Sequence, residues 1–163
     1  MRFDGKRVSR EWHTVLTAAR GDGVRFTLNS GRRTLAEQAL LYATFLRVGR
    51  PLAAKPSRTA PHIRVGRLDH AVDINASDGG AQRFAGWMQD HGLRAAFTVP
   101  GEPWHIESTA DDLKDFHELN GIAQDALRQR LRWAYAARVR QTSRVMVERM
   151  NRRIKAIRRR LRG

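Results

Sequence analysis

Apolar positions along this 163-residue chain follow two periods. A three-to-four-residue spacing marks amphipathic helix, and a two-residue alternation marks half-buried strand. The first helical stretch is "VSREWHTVLTAAR" (8–20), with Ser9 placed to cap it, Glu11 and Trp12 in its first turn, and "GDG" to end it. "VRFTL" (24–28) alternates and is rich in β-branched and aromatic residues, which predicts a strand, and "NSGRR" after it predicts a turn. "TLAEQALLYATFLRVG" predicts a helix with a Thr34/Glu37 capping box, one face carrying Ala36, Ala39, Leu40 and Ala43, and Gly49 as its stop. Residues 50–69 are a long loop rich in proline and basic residues, a length that in a compact domain points to function or disorder. "HAVDIN" (70–75) reads as a buried strand, "SDGGAQRFAGWMQDHGL" as a turn and a helix, "RAAFTV" (94–99) as a strand, "PGEPW" as a tight turn and "WHIES" as a strand. "ADDLKDFHELNG" is helical, with acids in the first turn where the helix dipole favours them.

From Gly121 onward the pattern changes. Apolar residues recur at Ile122, Ala126, Leu127, Leu131 and Tyr135, then at Met146, Met150, Ile154, Ile157 and Leu161, with arginine on the other faces. This spacing predicts one long amphipathic helix, or two broken near Gln141 to Ser143. Charge divides at the same place. Residues 1–120 hold 17 Lys and Arg against 14 Asp and Glu, whereas residues 121–163 hold 14 against 2. The chain is therefore expected to comprise a domain at 1–120 and a basic helical tail at 121–163. A block of this sign implies a polyanionic partner: nucleic acid, an anionic membrane surface or an anionic cell-wall polymer.

Composition narrows the chemistry. With no cysteine, disulfides, thiolate catalysis and cysteine zinc sites are excluded, so any metal must be held by His, Asp and Glu. No apolar run approaches the length that spans a bilayer, and "MRFDGKRVSREWH" has no apolar core of a signal peptide. A cytoplasmic location is the expectation.

One constellation carries chemistry. His105 lies three residues after Glu102 in "GEPWHIES". Asp73 sits among small and apolar neighbours, where an unpaired carboxylate is costly and a cation is its natural partner. Two histidines and a carboxylate around zinc, with a fourth position open to water, form a common catalytic arrangement. Glu102, fixed by the Pro-Gly turn before it, is the candidate to take the proton of that water.

In these motifs the chain resembles the bacterial and phage zinc D-alanyl-D-alanine carboxypeptidases and L-alanyl-D-glutamate endopeptidases, which share a fold with the hedgehog signalling domain. "SGRRTLAEQALLY", "AAKPSRTAPH", "DHAVDIN" and "GEPWHIE" match that family's pattern in order, over residues 24–110. The resemblance implies an α+β fold, a small antiparallel sheet flanked by helices. It implies zinc ligands His62, Asp73 and His105, Glu102 as general base, and Arg33 steadying an oxyanion or a substrate carboxylate. Gln38 matches the helix glutamine of the family, and Trp104 beside the last ligand is a candidate for substrate contact. The chain departs from the pattern in having Arg32 for tyrosine, Ala60 for serine, and eleven residues rather than seven between first histidine and aspartate, which makes 66–69 an insertion. His70 is the alternative first ligand. In an extended 70–74 it and Asp73 point to opposite faces, which favours His62.

The function this implies is hydrolysis of a peptide bond in the peptidoglycan stem or cross-link, with Zn2+ as cofactor. The cationic tail would hold an anionic cell-wall polymer or membrane surface, and no nucleic acid partner is expected for the charge-balanced domain. A monomeric phage endolysin, kept in the cytoplasm until a holin opens the membrane, fits the absence of a signal peptide. "EPWH" leans toward the carboxypeptidase branch, while host lysis needs an endopeptidase. The competing classes are a nucleic-acid-binding protein and a membrane-active basic helical protein without catalysis, both resting on the tail. His13, His91 and His117, in helical patterns, are expected to be structural or solvent-facing.

Overall fold

The computed structural model describes residues 1–49, 53, 55–58, 60, 62–63, 70–75 and 77–160. The chain is α+β, with two small antiparallel sheets and four helices among the described residues. It divides into two compact units, Met1–Asn120 and Gly121–Gly163.

The first unit opens on a hairpin the hydrophobic pattern does not announce, β1 (Arg2–Phe3) and β2 (Lys6–Arg7). Its turn is Asp4-Gly5, both at positive φ (47° and 75°), the conformation that an Asp-Gly pair tolerates in a two-residue hairpin turn. Helix α1 (Arg10–Gly21) starts where expected, with the Ser9 hydroxyl accepting from the Trp12 N–H at 3.1 Å. It buries Trp12, Val15, Leu16 and Ala19, one stripe at helical spacing.

Strand β3 (Leu28–Ser30) lies later than the alternation at 24–28 predicts. Residues 24–27 form no ladder, although Thr27 accepts a backbone hydrogen bond from Asn75. Their alternation reflects burial of Phe26 and Leu28 rather than strand pairing. Asn29 and Ser30, expected in a turn, complete β3 instead, and a register shift between Leu28 and Ser30 brings Ser30 opposite Asp73. Helix α2 (Leu35–Val48) has the predicted capping box at Thr34 and Glu37 and ends on Gly49 in the left-handed conformation. Its apolar face is not core: Gln38 is its buried residue, while Ala36, Ala39, Leu40 and Ala43 are exposed.

Strand β4 (His70–Ile74) is the centre of a sheet ordered β3-β4-β5, with β5 at His105–Ser108. The antiparallel β4–β5 register pairs Val72 with Ile106 and Asp73 with His105. Alternation divides this sheet cleanly. Val72, Ile74 and Ile106 face a core shared with α1 and with α3 (Gly80–Asp90), where Phe84 meets Phe26 at a centroid distance of 4.7 Å. Asp73 and His105 lie on the other face. The expected strand at 94–99 reduces to a single bridge between Ala96 and Glu107. The 66–69 insertion and most of the 50–69 loop fall outside the described residues.

Helix α4 (Ala110–Arg160) contains the predicted acidic first turn, Asp111 and Asp112, and buries Leu113. It runs unbroken through Gln141 to Ser143, so the alternative of two tail helices does not hold. From Gly121 to Lys155 nearly every residue is exposed. No described helix is long and apolar enough to cross a membrane.

Candidate metal centre

Two adjacent strands and one turn build this centre. Cross-strand pairing fixes Asp73 and His105 on one face of the β4–β5 ladder. A turn at 62–63, held by the Ile63 N–H on the Ala60 carbonyl, delivers His62 against them. Asp73 Oδ1 lies 3.0 Å from His105 Nδ1 and 3.2 Å from His62 Nε2, and the two nitrogens are 3.3 Å apart. All three residues are buried.

The outer atoms of each ligand are held as well. His62 Nδ1 donates to the Gly31 carbonyl at 2.9 Å, which turns the Nε2 lone pair inward. His105 Nε2 donates to Glu107 Oε1 at 3.1 Å, which leaves Nδ1 facing Asp73. Glu107, opposite Ala71 in the ladder and two residues from His105, shares its strand face by alternation. Thr98 donates to the same Glu107 oxygen at 2.7 Å, and the Ala96 bridge pins its backbone. Asp73 Oδ2 accepts from Arg33 Nη2 at 3.0 Å, so Oδ1 remains the inward oxygen. Arg33 is itself fixed, by Ser30 Oγ on Nε and Nη2 and by Gln38 Oε1 on Nη1 at 3.1 Å. The burial of Gln38 is thereby explained: it holds the arginine that holds the aspartate.

Charge follows from these contacts. Burial would raise the Asp73 carboxyl, but hydrogen bonds with His105 and His62 and the Arg33 charge more than offset it, leaving Asp73 well below the usual carboxylate range. Burial would lower His105, yet its hydrogen bonds to Asp73 and Glu107 outweigh that and raise it.

Zinc fits this donor set. Its bonds to nitrogen and oxygen are about 2.0–2.2 Å, so tetrahedral ligands around it stand roughly 3.3 Å apart. The three inward atoms, at 3.0–3.3 Å, already have that spacing. With His62 Nδ1 held by Gly31 and His105 Nε2 by Glu107, the inward atoms His62 Nε2, His105 Nδ1 and Asp73 Oδ1 converge. Without a metal a proton on His105 Nδ1 bonds Asp73, and a metal ion would take its place.

The remaining predicted residues lie in the turn before β5 and at the start of β4. Glu102 is half-buried in the turn that leads into β5. Its N–H donates to Val99, its carbonyl accepts from the His105 N–H, and its carboxylate has no hydrogen-bond or ion-pair partner among the described residues. Trp104, also half-buried, accepts from the Ile74 N–H through its carbonyl at 2.8 Å. His70 opens β4 in register with Ser108, and its side chain lies outside the described residues. The other histidines are occupied: His117 Nδ1 meets Thr14 Oγ1 at 2.7 Å, His91 stacks on Trp87, and His13 meets Phe3 edge-on. Sequence reasoning missed Glu107, Ser30 and the Gly31 carbonyl. A signal existed for Glu107, which follows His105 by two in a strand. Backbone carbonyls leave none.

Compared with models of known protein families and with curated proteins, the chain matches none.

Proposed function

We propose that the protein is a zinc-dependent peptidase of hedgehog-like fold that hydrolyses a peptide bond in the peptidoglycan stem or cross-link, serving as a phage endolysin in host lysis. The observation that carries this reading is the convergence of His62, Asp73 and His105, with mutual ligand-atom distances within 4.8 Å, beside a Glu-x-x-His turn. The order of these residues along the chain, and the arginine upstream of them, agree with the peptidases the sequence resembles.

Bound zinc would lower the pKa of a water toward neutrality and polarise the scissile carbonyl. His62 Nε2, Asp73 Oδ1 and His105 Nδ1 would hold it. Glu102, with a carboxylate uncommitted among the described residues, takes the proton of the attacking water. Oxygen then bonds to the carbonyl carbon, the C–N bond breaks, and Glu102 passes its proton to the departing amine. Arg33 keeps the Asp73 carboxylate in its one-oxygen orientation through Oδ2. In this reading it acts on the ligand rather than on the oxyanion.

The deciding experiment is digestion of purified peptidoglycan, with product analysis by mass spectrometry and zinc content measured alongside. His62→Ala should lose both metal and cleavage. Glu102→Gln should keep one equivalent of zinc and lose cleavage. Wild-type protein that carries zinc and releases no new peptide termini would overturn the assignment.

A further inference from the structure

We propose that Arg32 is a specificity-determining residue, which takes a free carboxylate of the peptide substrate in a hollow beside the candidate metal centre. The choice of a peptide rests on the hydrolase reading, while the anion site rests on the hollow itself.

The hollow has a volume of about 440 Å³, and its lining includes Arg7, Val8, Arg32, Arg33, Leu35 and Ile63. Two of these residues join it to the centre. Arg33 donates to Asp73 Oδ2 at 3.0 Å, and Ile63 follows His62 in the turn that delivers that ligand. Backbone contacts fix the wall: the Arg32 N–H donates to the Arg7 carbonyl at 2.7 Å, and the Arg33 N–H to the His62 carbonyl at 2.8 Å. Three arginines are thereby held around one hollow, in a unit with 17 basic residues against 14 acidic. Two of them are neutralised. Arg33 is paired with Asp73, and Arg7 with Glu37, whose Oε2 also accepts from the Thr34 N–H and hydroxyl. The Arg32 guanidinium is exposed and has no hydrogen-bond or ion-pair partner among the described residues. A second hollow, of about 420 Å³, shares the three arginines and adds Arg2 and Lys6, which reinforces the positive potential around Arg32.

One uncommitted guanidinium selects the ligand. Its planar fork matches a single carboxylate, two N–H groups on two oxygens. A phosphate, with its greater charge, would draw on more than one free cation, and the other two arginines of this hollow are already paired. Val8, Leu35 and Ile63 supply an apolar lining for the methylenes that carry an acidic group, as in a glutamyl side chain. The peptidases that the chain resembles have tyrosine in the place of Arg32, so a group that reads charge here is this chain's own.

The test is isothermal titration of the full chain, in a chelator that halts any metal-dependent hydrolysis. The probes are an N-acetylated peptidoglycan stem peptide with its carboxyls free and the same peptide fully amidated. The free-carboxylate peptide should bind at least about tenfold more tightly. Arg32 is exposed, so its substitution leaves the core untouched. Arg32→Gln should bring the affinity down to that of the amide, Arg32→Lys should retain part of the difference, and Arg138→Gln in the basic tail should leave the difference unchanged. Equal binding of the two peptides by wild type, or a difference that survives Arg32→Gln, would overturn the proposal. So would Arg32-dependent binding of inorganic phosphate that is tighter than that of the peptide. Digestion of peptidoglycan by the same variants separates the two readings. Arg32-dependent binding without cleavage leaves this site standing and removes the hydrolase; cleavage without Arg32-dependent binding does the reverse.

Discussion

Asp73 and His105 are cross-strand partners, and their inward atoms, Oδ1 and Nδ1, lie 3.0 Å apart. The pair is made by sheet register, so the ligand geometry is as rigid as the ladder beneath it. Asp73→Asn keeps the shape and removes the charge that both histidines and Arg33 share. Zinc affinity should fall by more than the roughly 10–100-fold that loss of an outer partner brings. Isothermal titration with zinc measures this, and an unchanged Kd would remove Asp73 from the ligand set.

Glu107 fixes His105 from behind through Nε2. Glu107→Gln keeps an acceptor but allows the amide to turn its NH2 toward the imidazole, which disfavours the tautomer with a free Nδ1. Zinc affinity should drop by about 10–100-fold with the fold retained. The histidine 15N shifts of the metal-free protein report the tautomer. A variant with wild-type shifts and affinity would show that Glu107 does not orient the ring.

Gly31 has no room for a side chain. A Cβ there would lie 2.2 Å from the Arg7 carbonyl oxygen and 2.7 Å from Val8 Cγ1. Gly31→Ala must push the segment off the hairpin and carry with it the carbonyl that orients His62. We expect a loss of about 1–3 kcal/mol in stability, as for other overpacked sites, together with weaker zinc binding. Wild-type thermal stability and wild-type zinc binding in this variant would contradict the close approach.

The metal-free protein should have a pH window set by two groups of opposite sense. Asp73 is depressed in the fold, so its contribution is complete above its unfolded pKa of about 3.9 and is lost as pH falls through the folded value. His105 is raised, so its contribution is complete below about 6.5 and is lost as pH rises through the folded value. Stability in chelator should therefore be greater at pH 5.5 than at pH 8.5. Zinc displaces the His105 proton, so its affinity should run the other way and strengthen with pH. Melting curves and zinc titrations at both pH values check the two slopes, and parallel slopes would refute the competition.

Much of this architecture was legible in residue order. Ser9, Thr34, Glu37 and Gly49 specify helix ends through local hydrogen bonds and backbone conformation, and these ends stand where the sequence puts them. The buried strand at 70–74 and the strand at 105–108 were equally plain, because short apolar runs bounded by turns have few alternatives. The 24–28 and 94–99 runs misled because alternation reports burial, while a strand also needs a partner in register. The Asp4-Gly5 hairpin has two-residue arms, too short for any periodicity to register. At the candidate centre, the side chains that would touch the ion could be named from the motifs the chain shares with the peptidases it resembles. The support behind them could not, because Gly31 contributes a carbonyl and Gln38 acts through a second side chain.

The inward-facing group draws on segments far apart in the chain: 40 residues separate Arg33 from Asp73, and 32 separate Asp73 from His105. A nascent chain on the ribosome therefore lacks the third ligand until the strand at 105–108 has emerged and paired. A prematurely terminated product ending before that strand has only an aspartate and one imidazole, an incomplete grip. Synthesis and assembly of this centre are coupled by topology alone.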